Sequence, residues 1–224
     1  MSVGTFCDNC PPYIDNYVRF EDRCLQTAQP VSKALGIPIY VEHGEELIGL
    51  LSTTLTAISL FHPTHAGIAE RYRPVVPGTG LHPRPGPVES LKPFFSEIDP
   101  SWSSIWYPPR TGEDVEEIHN RVDGFLDAFV IELERRFPRE HQRILLVSHA
   151  ATVVALARTL LGDRLLSLRI GCCSLSEFVH VPGNAKWTWK AERLADGAHL
   201  KDGSQREWGF PDIEVMGGKV CVLD

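Results

Sequence analysis

The 224-residue sequence has no excess of basic residues and no hydrophobic run long enough to cross a membrane. An apolar stretch at residues 47–61 is interrupted by serine and threonine and is shorter than the roughly 20 residues of a membrane span. The net charge of −7 disfavours non-specific binding to nucleic-acid phosphates. No basic segment followed by an apolar core opens the sequence, so we expect no secretory signal. These absences predict a cytoplasmic or nuclear protein with no membrane partner and no direct nucleic-acid partner.

The six cysteines lack the spacing of a zinc site or a disulfide framework. Cys7 and Cys10 form one CxxC pair, but no second pair follows at a matching distance. Cys172 and Cys173 are adjacent and cannot easily bond to each other. We expect reduced thiols and no bound metal, with zinc at the CxxC pair as the alternative.

A strand, a turn and a helix follow one another between Arg143 and Gly162. Residues 144–147 are a short run of branched apolar residues, which is typical of a buried strand. Apolar residues recur at helical spacing over residues 150–161, and Gly162 has the position of a C-cap. His149 would lie at the carboxyl end of the strand, where open α/β sheets bind ligands and helix amides face an anion. The alternative is a histidine that only satisfies the turn backbone.

The remaining patterns alternate between helix and strand, which predicts an α/β fold. We expect helices at residues 23–36 and 111–137 and strands at residues 37–41, 174–181 and 187–194. Thr111 is the expected N-cap of the second helix, and Pro138 is expected to end it. Residues 1–17 show no periodicity, so no strand is expected there. Residues 71–109, rich in proline and aromatic residues, predict a loop region over the end of the sheet.

Several segments occur in an order that resembles a known family. Residues 23–28 read RCLQTA, residues 67–78 read GIAERYRPVVPG, residues 146–150 read LVSHA, and residues 171–175 read GCCSL. Together they resemble the histidine phosphatase superfamily, and more closely the branch found in a fungal subunit of the RNA polymerase III transcription factor IIIC. The resemblance implies a phosphoglycerate-mutase-like, three-layer α/β/α sandwich. It also implies phosphomonoester hydrolysis through a phosphohistidine, without a metal or other cofactor.

The resemblance also implies roles for three residues. Arg23 matches the family arginine that binds phosphate, and His149 matches the second family histidine, which is catalytic and donates to the phosphate. Glu70 matches the catalytic acid that protonates the leaving oxygen. Fixed cations and a proton donor are what phosphoryl transfer requires. The alternatives are a solvated cation at a helix start for Arg23 and an ordinary surface acid for Glu70.

The sequence departs from the family pattern at its start. The family opens with a strand that ends in Arg-His-Gly, whose histidine is the nucleophile, and this tripeptide does not occur here. We therefore expect the sandwich to lack its first strand and residues 1–22 to be an atypical segment. Deleting residues 45–66 restores the family spacing, so these residues are expected to be an insertion, and both features suggest a misassembled gene model. The domain would span residues 23–195, with residues 196–224 as a tail that packs on it.

Three functions are compatible with these features. The first is a metal-independent phosphomonoesterase, with the activity belonging to the complete protein and this polypeptide inactive because the nucleophile is absent. The second is a non-enzymatic module with protein partners in a transcription-factor complex, which an acidic surface with Trp102 and Trp106 would suit. The third is a protein that binds phosphate or a phosphomonoester without turnover.

Overall fold

The computed structural model describes residues 2–5, 20–42, 48–50, 73–82, 87–137, 144–181, 189–216 and 219–222. The helices are α1 (Phe20–Leu35), α2 (Val115–Arg136) and α3 (Ala150–Leu161). The strands are β1 (Ser2–Thr5), β2 (Ile39–Val41), β3 (Ile48–Leu50), β4 (Leu145–Ser148), β5 (Ile170–Cys172), β6 (Leu175–His180), β7 (Trp189–Asp196), β8 (Gln205–Trp208), β9 (Ile213–Met216) and β10 (Lys219–Val222). This content confirms the α/β class. None of the described helices combines the length and apolar character needed to cross a membrane.

Six strands form the main sheet in the order β2-β3-β4-β1-β6-β7. β1 is parallel to β4, with Thr5 opposite Ser148. β3 is antiparallel to both β2 and β4, so β2 and β4 run in the same direction. β1, β2 and β4 therefore all end on one side of the sheet, which we call the carboxyl end. β5 with β8 and β9 with β10 form two small antiparallel pairs.

The expectation that the first strand is missing is wrong. Ser2–Thr5 forms β1 in the middle of the sheet, where it is parallel to β4 and antiparallel to β6. The segment reads Ser-Val-Gly-Thr, which is too short and too polar to show strand periodicity. Its pairing partners are distant in sequence, so tertiary contacts rather than local propensity make it a strand.

The expected insertion at residues 45–66 is described only at Ile48–Leu50. These residues form β3, which pairs with β2 on one side and with β4 on the other. The outer side of β2 is covered by a bridge between Ile39 and Ile98. The Ile39 amide donates to the Glu97 carbonyl at 2.9 Å, and the Asp99 amide donates to the Ile39 carbonyl at 2.8 Å. These bonds satisfy backbone groups that an edge strand would leave unpaired.

The helix after β4 has the bounds that the spacing predicts, and Gly162 ends it with a φ of 65°. The longer helix α2 was also predicted, but its N-cap is Asp114 and not Thr111. The Asp114 side chain accepts from the Glu117 amide, and the Glu117 side chain accepts from the Asp114 amide. This reciprocal capping box satisfies two donors, so it defines the helix start more strongly than a lone threonine would.

Alternate residues of β4 and of the chain just before it belong to two different hydrophobic clusters. Leu145 and Val147 pack with the buried face of α1 and with residues of β2. Ile144 and Leu146 pack with the buried faces of α2 and α3. This alternation follows from the two-residue period of a strand and holds the helices around the central strands.

Candidate functional site

Polar side chains follow two of the parallel strands at the carboxyl end of the sheet. Glu42 comes directly after β2, and His149 comes directly after Ser148, the last residue of β4. Ile48 of β3 pairs with the last residue of β2 and with Val147 of β4. Glu42 and Ser148 are therefore level with each other, separated by two strand spacings or about 10 Å.

His149 is the N-cap residue of α3, with φ −87° and ψ 156°. Within the described part of the chain, its side chain does not cap that helix. The imidazole contacts α1 instead, where its Nε2 lies 3.6 Å from the Sγ of Cys24. His149 is 6% exposed, so the ring is enclosed by protein.

The contact with Cys24 brings the start of α1 to His149. Cys24, Leu25 and Ala28 are fully buried, and they anchor this face of α1 in the core. Arg23 precedes Cys24 and is partly exposed, while its Nε atom is buried. Arg23 and His149, the two residues predicted to bind phosphate, therefore lie at the same end of the sheet.

The predicted acid Glu70 lies outside the described residues, as do Cys7 and Cys10. Their predicted roles stay predictions. Among the side chains that the structure describes, no group of three or more histidine, cysteine or acidic residues is placed to hold a metal ion.

Glu42 is a buried acid at the carboxyl end that the sequence analysis did not include among the site residues. Its Oε2 accepts from the indole Nε1 of Trp102 and from the backbone amide of Ile105, both at 3.1 Å. Burial raises the pKa of Glu42 to about 8, although hydrogen bonds from Trp102, Ile105, Ser104 and Trp106 act in the opposite direction. Its position just after a short apolar strand, like that of His149, is a signal that could have identified it.

The loop bound by Glu42 is tied to two other elements. The Trp102 ring lies edge-on to Tyr40 of β2 at 6.1 Å between centroids. The Arg136 guanidinium of α2 lies 4.3 Å from the Trp102 ring centroid, and Arg136 also donates to the Ser101 carbonyl at 2.7 Å. Glu42 therefore joins the end of β2 to a loop that is itself held on α2.

A second buried polar cluster lies farther along α3. The Arg158 guanidinium donates to both carboxylate oxygens of Asp212, at 2.6 and 3.1 Å. It also donates to the Leu166 carbonyl at 3.1 Å and approaches the Nε2 of His119 at 3.4 Å. Arg158 follows the first residue of α3 by eight positions, or about 12 Å along the helix. The Phe210 ring centroid lies 5.5 Å from the Arg158 guanidinium carbon. We call Arg158, Asp212, His119 and Phe210 the tail cluster.

Comparisons with known proteins agree with this architecture. Residues 88–193 match the family model of the histidine phosphatase superfamily (branch 1), so the chain carries a domain of that superfamily. The matched segment includes His149 but neither Arg23 nor Glu70.

A curated relative covers more of the chain. The chain is similar to the transcription factor tau 55 kDa subunit of Saccharomyces cerevisiae, with 33% identity over 229 residues. The match covers 89% of this chain and 46% of the relative, so the chain spans about half the length of that protein. The two findings confirm the family resemblance predicted from the motifs.

Proposed function

We propose that the chain is a phosphatase-like protein that binds a phosphomonoester at the carboxyl end of its sheet but does not hydrolyse it. The observation that carries the proposal is the contact between Cys24 and His149. This contact brings the start of α1, with Arg23, to the residue that follows β4. The family match and the order of the motifs support the same assignment.

The chemistry of the two side chains fits a phosphoryl group. A guanidinium can donate two parallel hydrogen bonds to phosphate oxygens, and an imidazole N–H can donate a third. The amides at the start of α3 add a favourable partial charge for an anion. In this proposal Arg23 and His149 hold the phosphate, and Glu70 is the acid that would protonate a leaving oxygen.

The absence of turnover follows from the residues after β1. The family resemblance places Arg-His-Gly at the end of the first strand, and its histidine attacks phosphorus. In this chain β1 ends at Thr5 and is followed in sequence by Phe6, Cys7 and Asp8. Without the attacking imidazole, the covalent phosphohistidine cannot form.

We also infer that the domain is a three-layer α/β/α sandwich. The support is the alternation along β4, where neighbouring residues belong to the cluster of α1 or to the cluster of α2 and α3. A sandwich places both helix N-termini, and with them Arg23 and His149, around one ligand position.

Thermal unfolding with inorganic phosphate tests the binding. Phosphate should raise the melting temperature of the wild type, and His149→Ala or Arg23→Met should abolish the shift. Arg193→Met is the matched control, since Arg193 lies on β7 with a side chain that is 55% exposed. An equal phosphate shift in all four proteins would contradict the proposed site.

Hydrolysis of p-nitrophenyl phosphate tests the absence of turnover. The wild type should give no more product than a heat-denatured sample. Hydrolysis that disappears in His149→Ala would contradict the inactive assignment while supporting the site.

A second function is favoured by the 33% identity to the yeast transcription factor subunit. We propose that the chain is a subunit-like component of a nuclear transcription-factor complex of the factor IIIC type. Trp106 and Tyr107 are 38% and 53% exposed, and such aromatic residues are enriched at protein interfaces. Affinity purification should recover subunits of the factor with the wild type. Equal recovery with a Trp106→Ala/Tyr107→Ala double variant would exclude this loop as the contact.

A further inference from the structure

The position of Cys24 gives it a role in the site that the family resemblance does not assign. Its Sγ lies 3.6 Å from the Nε2 of His149, the residue between β4 and α3. Cys24 is fully buried and His149 is 6% exposed, so the contact is shielded from solvent. A thiol is a weak donor and a weak acceptor, and this separation suits a sulfur hydrogen bond.

Cys24 is held rigidly enough to orient a partner. It is part of the core cluster of α1, together with Leu25 and Ala28, which are also fully buried. The helix extends over sixteen residues, so the backbone that carries the thiol cannot shift without displacing that face of α1. A group on such a scaffold fixes the rotamer of the side chain that it touches.

The position of His149 lets a contact with another element set the orientation of its ring. The residue sits at the junction between β4 and α3, and its side chain does not cap α3 in the described structure. An imidazole at such a junction has several staggered rotamers available to it. The contact with the thiol favours the rotamer in which Nε2 lies beside Cys24 of α1.

The weakness of a thiol is useful in this position. A phosphate oxygen forms a charge-assisted hydrogen bond about twice as strong as a neutral one, so it can take the imidazole N–H from sulfur. A stronger neutral acceptor at this position would compete more with the ligand.

We propose that Cys24 is a positioning residue, which orients the His149 imidazole and gives up its hydrogen bond when phosphate binds. This role rests on the proposed function of His149 as a phosphate ligand. Cys24 itself takes no part in any bond-making step.

The contact is tested first without ligand. In nitrogen-15 NMR spectra of the histidine side chains, Cys24→Ala should shift the Nε2 resonance of His149, assigned by its loss in His149→Ala. Cys172→Ser removes a partly buried thiol outside the contact and should leave that resonance unchanged. An unchanged resonance in Cys24→Ala would overturn the proposal, whether or not phosphate binds.

A double-mutant cycle with inorganic phosphate tests the role. Cys24→Ala should weaken phosphate binding about tenfold, because the His149 imidazole is then less well oriented toward the phosphate. Cys24→Ser, which keeps a hydrogen-bonding group, should stay within about threefold of the wild type. In the His149→Ala background, residual binding measured at a raised phosphate concentration should not fall further with Cys24→Ala. The same loss in both backgrounds would overturn the proposal, since Cys24 would then act on the fold and not through His149.

The two experiments separate this inference from the proposed function. If the wild type binds no phosphate, the phosphate site fails, and the NMR comparison still decides whether Cys24 orients His149. Cys24→Ser serves as the folded counterpart if Cys24→Ala unfolds, and it should also shift the His149 resonance. A Cys24→Ser spectrum identical to the wild type at that resonance would overturn the proposal.

Discussion

Two buried histidines have different surroundings in this chain. His149 follows a central strand, stands at the start of α3, and meets a thiol from another helix. His119 lies near the start of α2, where its Nδ1 is 2.5 Å from the carbonyl oxygen of Val115, the first residue of that helix. The Nε2 of His119 faces Arg158 at 3.4 Å, and its ring lies 5.5 Å from that of Phe210. His119 therefore has Nδ1 bound within its own helix, while its Nε2 contact with Arg158 joins α2 to α3.

Asp212 of the tail cluster and Glu42 at the carboxyl end of the sheet also differ in their surroundings. In the tail cluster, both carboxylate oxygens of Asp212 accept hydrogen bonds from the Arg158 guanidinium. The Arg158 side chain is 2% exposed. At the carboxyl end of the sheet, the hydrogen-bond donors that the structure gives Glu42 are neutral, and the pKa of its carboxyl is raised by burial. The tail cluster compensates its charges internally, whereas the carboxyl end of the sheet buries an acid among neutral hydrogen-bond donors.

Removing Arg158 should have the largest effect on stability. Arg158→Met leaves Asp212 without its described ion-pair partner, and it removes the hydrogen bond to the Leu166 carbonyl. We expect a loss of about 3–5 kcal/mol in the free energy of unfolding, measured by urea denaturation.

Arg164→Met is the matched control for this change. Arg164 pairs with Asp123, but the two side chains are 42% and 44% exposed. An exposed pair contributes less than about 1 kcal/mol. Equal losses for the two variants would show that the tail cluster is not a structural centre.

Glu42→Gln tests whether Glu42, unlike the ion-paired Asp212, makes the free energy of unfolding depend on pH. Burial raises the pKa of Glu42 from 4.5 to about 8, so the folded protein keeps a proton that the unfolded chain releases. This contribution to stability is fully present below pH 4.5 and is lost as pH rises toward 8. Between pH 5 and pH 7.5 the wild type should lose roughly 3 kcal/mol relative to Glu42→Gln, at about 1.4 kcal/mol per unit.

The measurement is the free energy of unfolding of both proteins at several pH values. The neutral amide of the variant cannot ionise, so its stability should not follow this titration. A constant difference between the two proteins from pH 5 to pH 7.5 would mean that Glu42 titrates near its ordinary value.

The elements that were predicted correctly carry strong local signals. The helix at Ala150–Leu161 has apolar periodicity and a glycine that ends it with a positive φ, and both features are visible in the sequence. His149 was identifiable because a polar residue interrupts an apolar run at the junction of strand and helix. The family motifs then gave Arg23 its predicted role.

The features that were missed depend on distant contacts. β1 is a strand because β4 and β6 pair with it, and its own four residues carry no such signal. The capping role of Asp114 was overlooked because Thr111, three residues earlier, is also a good capping residue. The contact between Cys24 and His149 joins residues 125 positions apart, which no local pattern can reveal.

Alanine substitutions at His119 and His149 compare the contributions of the two side chains to stability and to phosphate binding. His119→Ala should cost about 2 kcal/mol in the free energy of unfolding, since the Arg158 and Val115 groups lose a buried partner. His149→Ala should cost less than half as much, because its contact with the Cys24 thiol is a weak hydrogen bond. Phosphate should stabilise His119→Ala but not His149→Ala. The reverse pattern would assign the ligand site to the tail cluster.

The pH dependence of the tail cluster is the smallest expected effect. Burial lowers the pKa of His119, and the nearby charges of Arg164 and Arg158 lower it further, while Val115 and Asp212 act in the opposite direction. As pH falls, the unfolded chain therefore protonates His119 before the folded chain does. This contribution to stability is present above about pH 6.5 and is lost as pH falls below it.

His119→Gln should remove this dependence, because glutamine keeps a donor and an acceptor but does not titrate in this range. Between pH 7.5 and pH 5.5 the wild type should lose up to about 1 kcal/mol relative to the variant. Urea denaturation at the two pH values measures the difference. Parallel losses in both proteins would mean that folding does not lower the pKa of His119. The two histidines would then differ only in the geometry of their contacts.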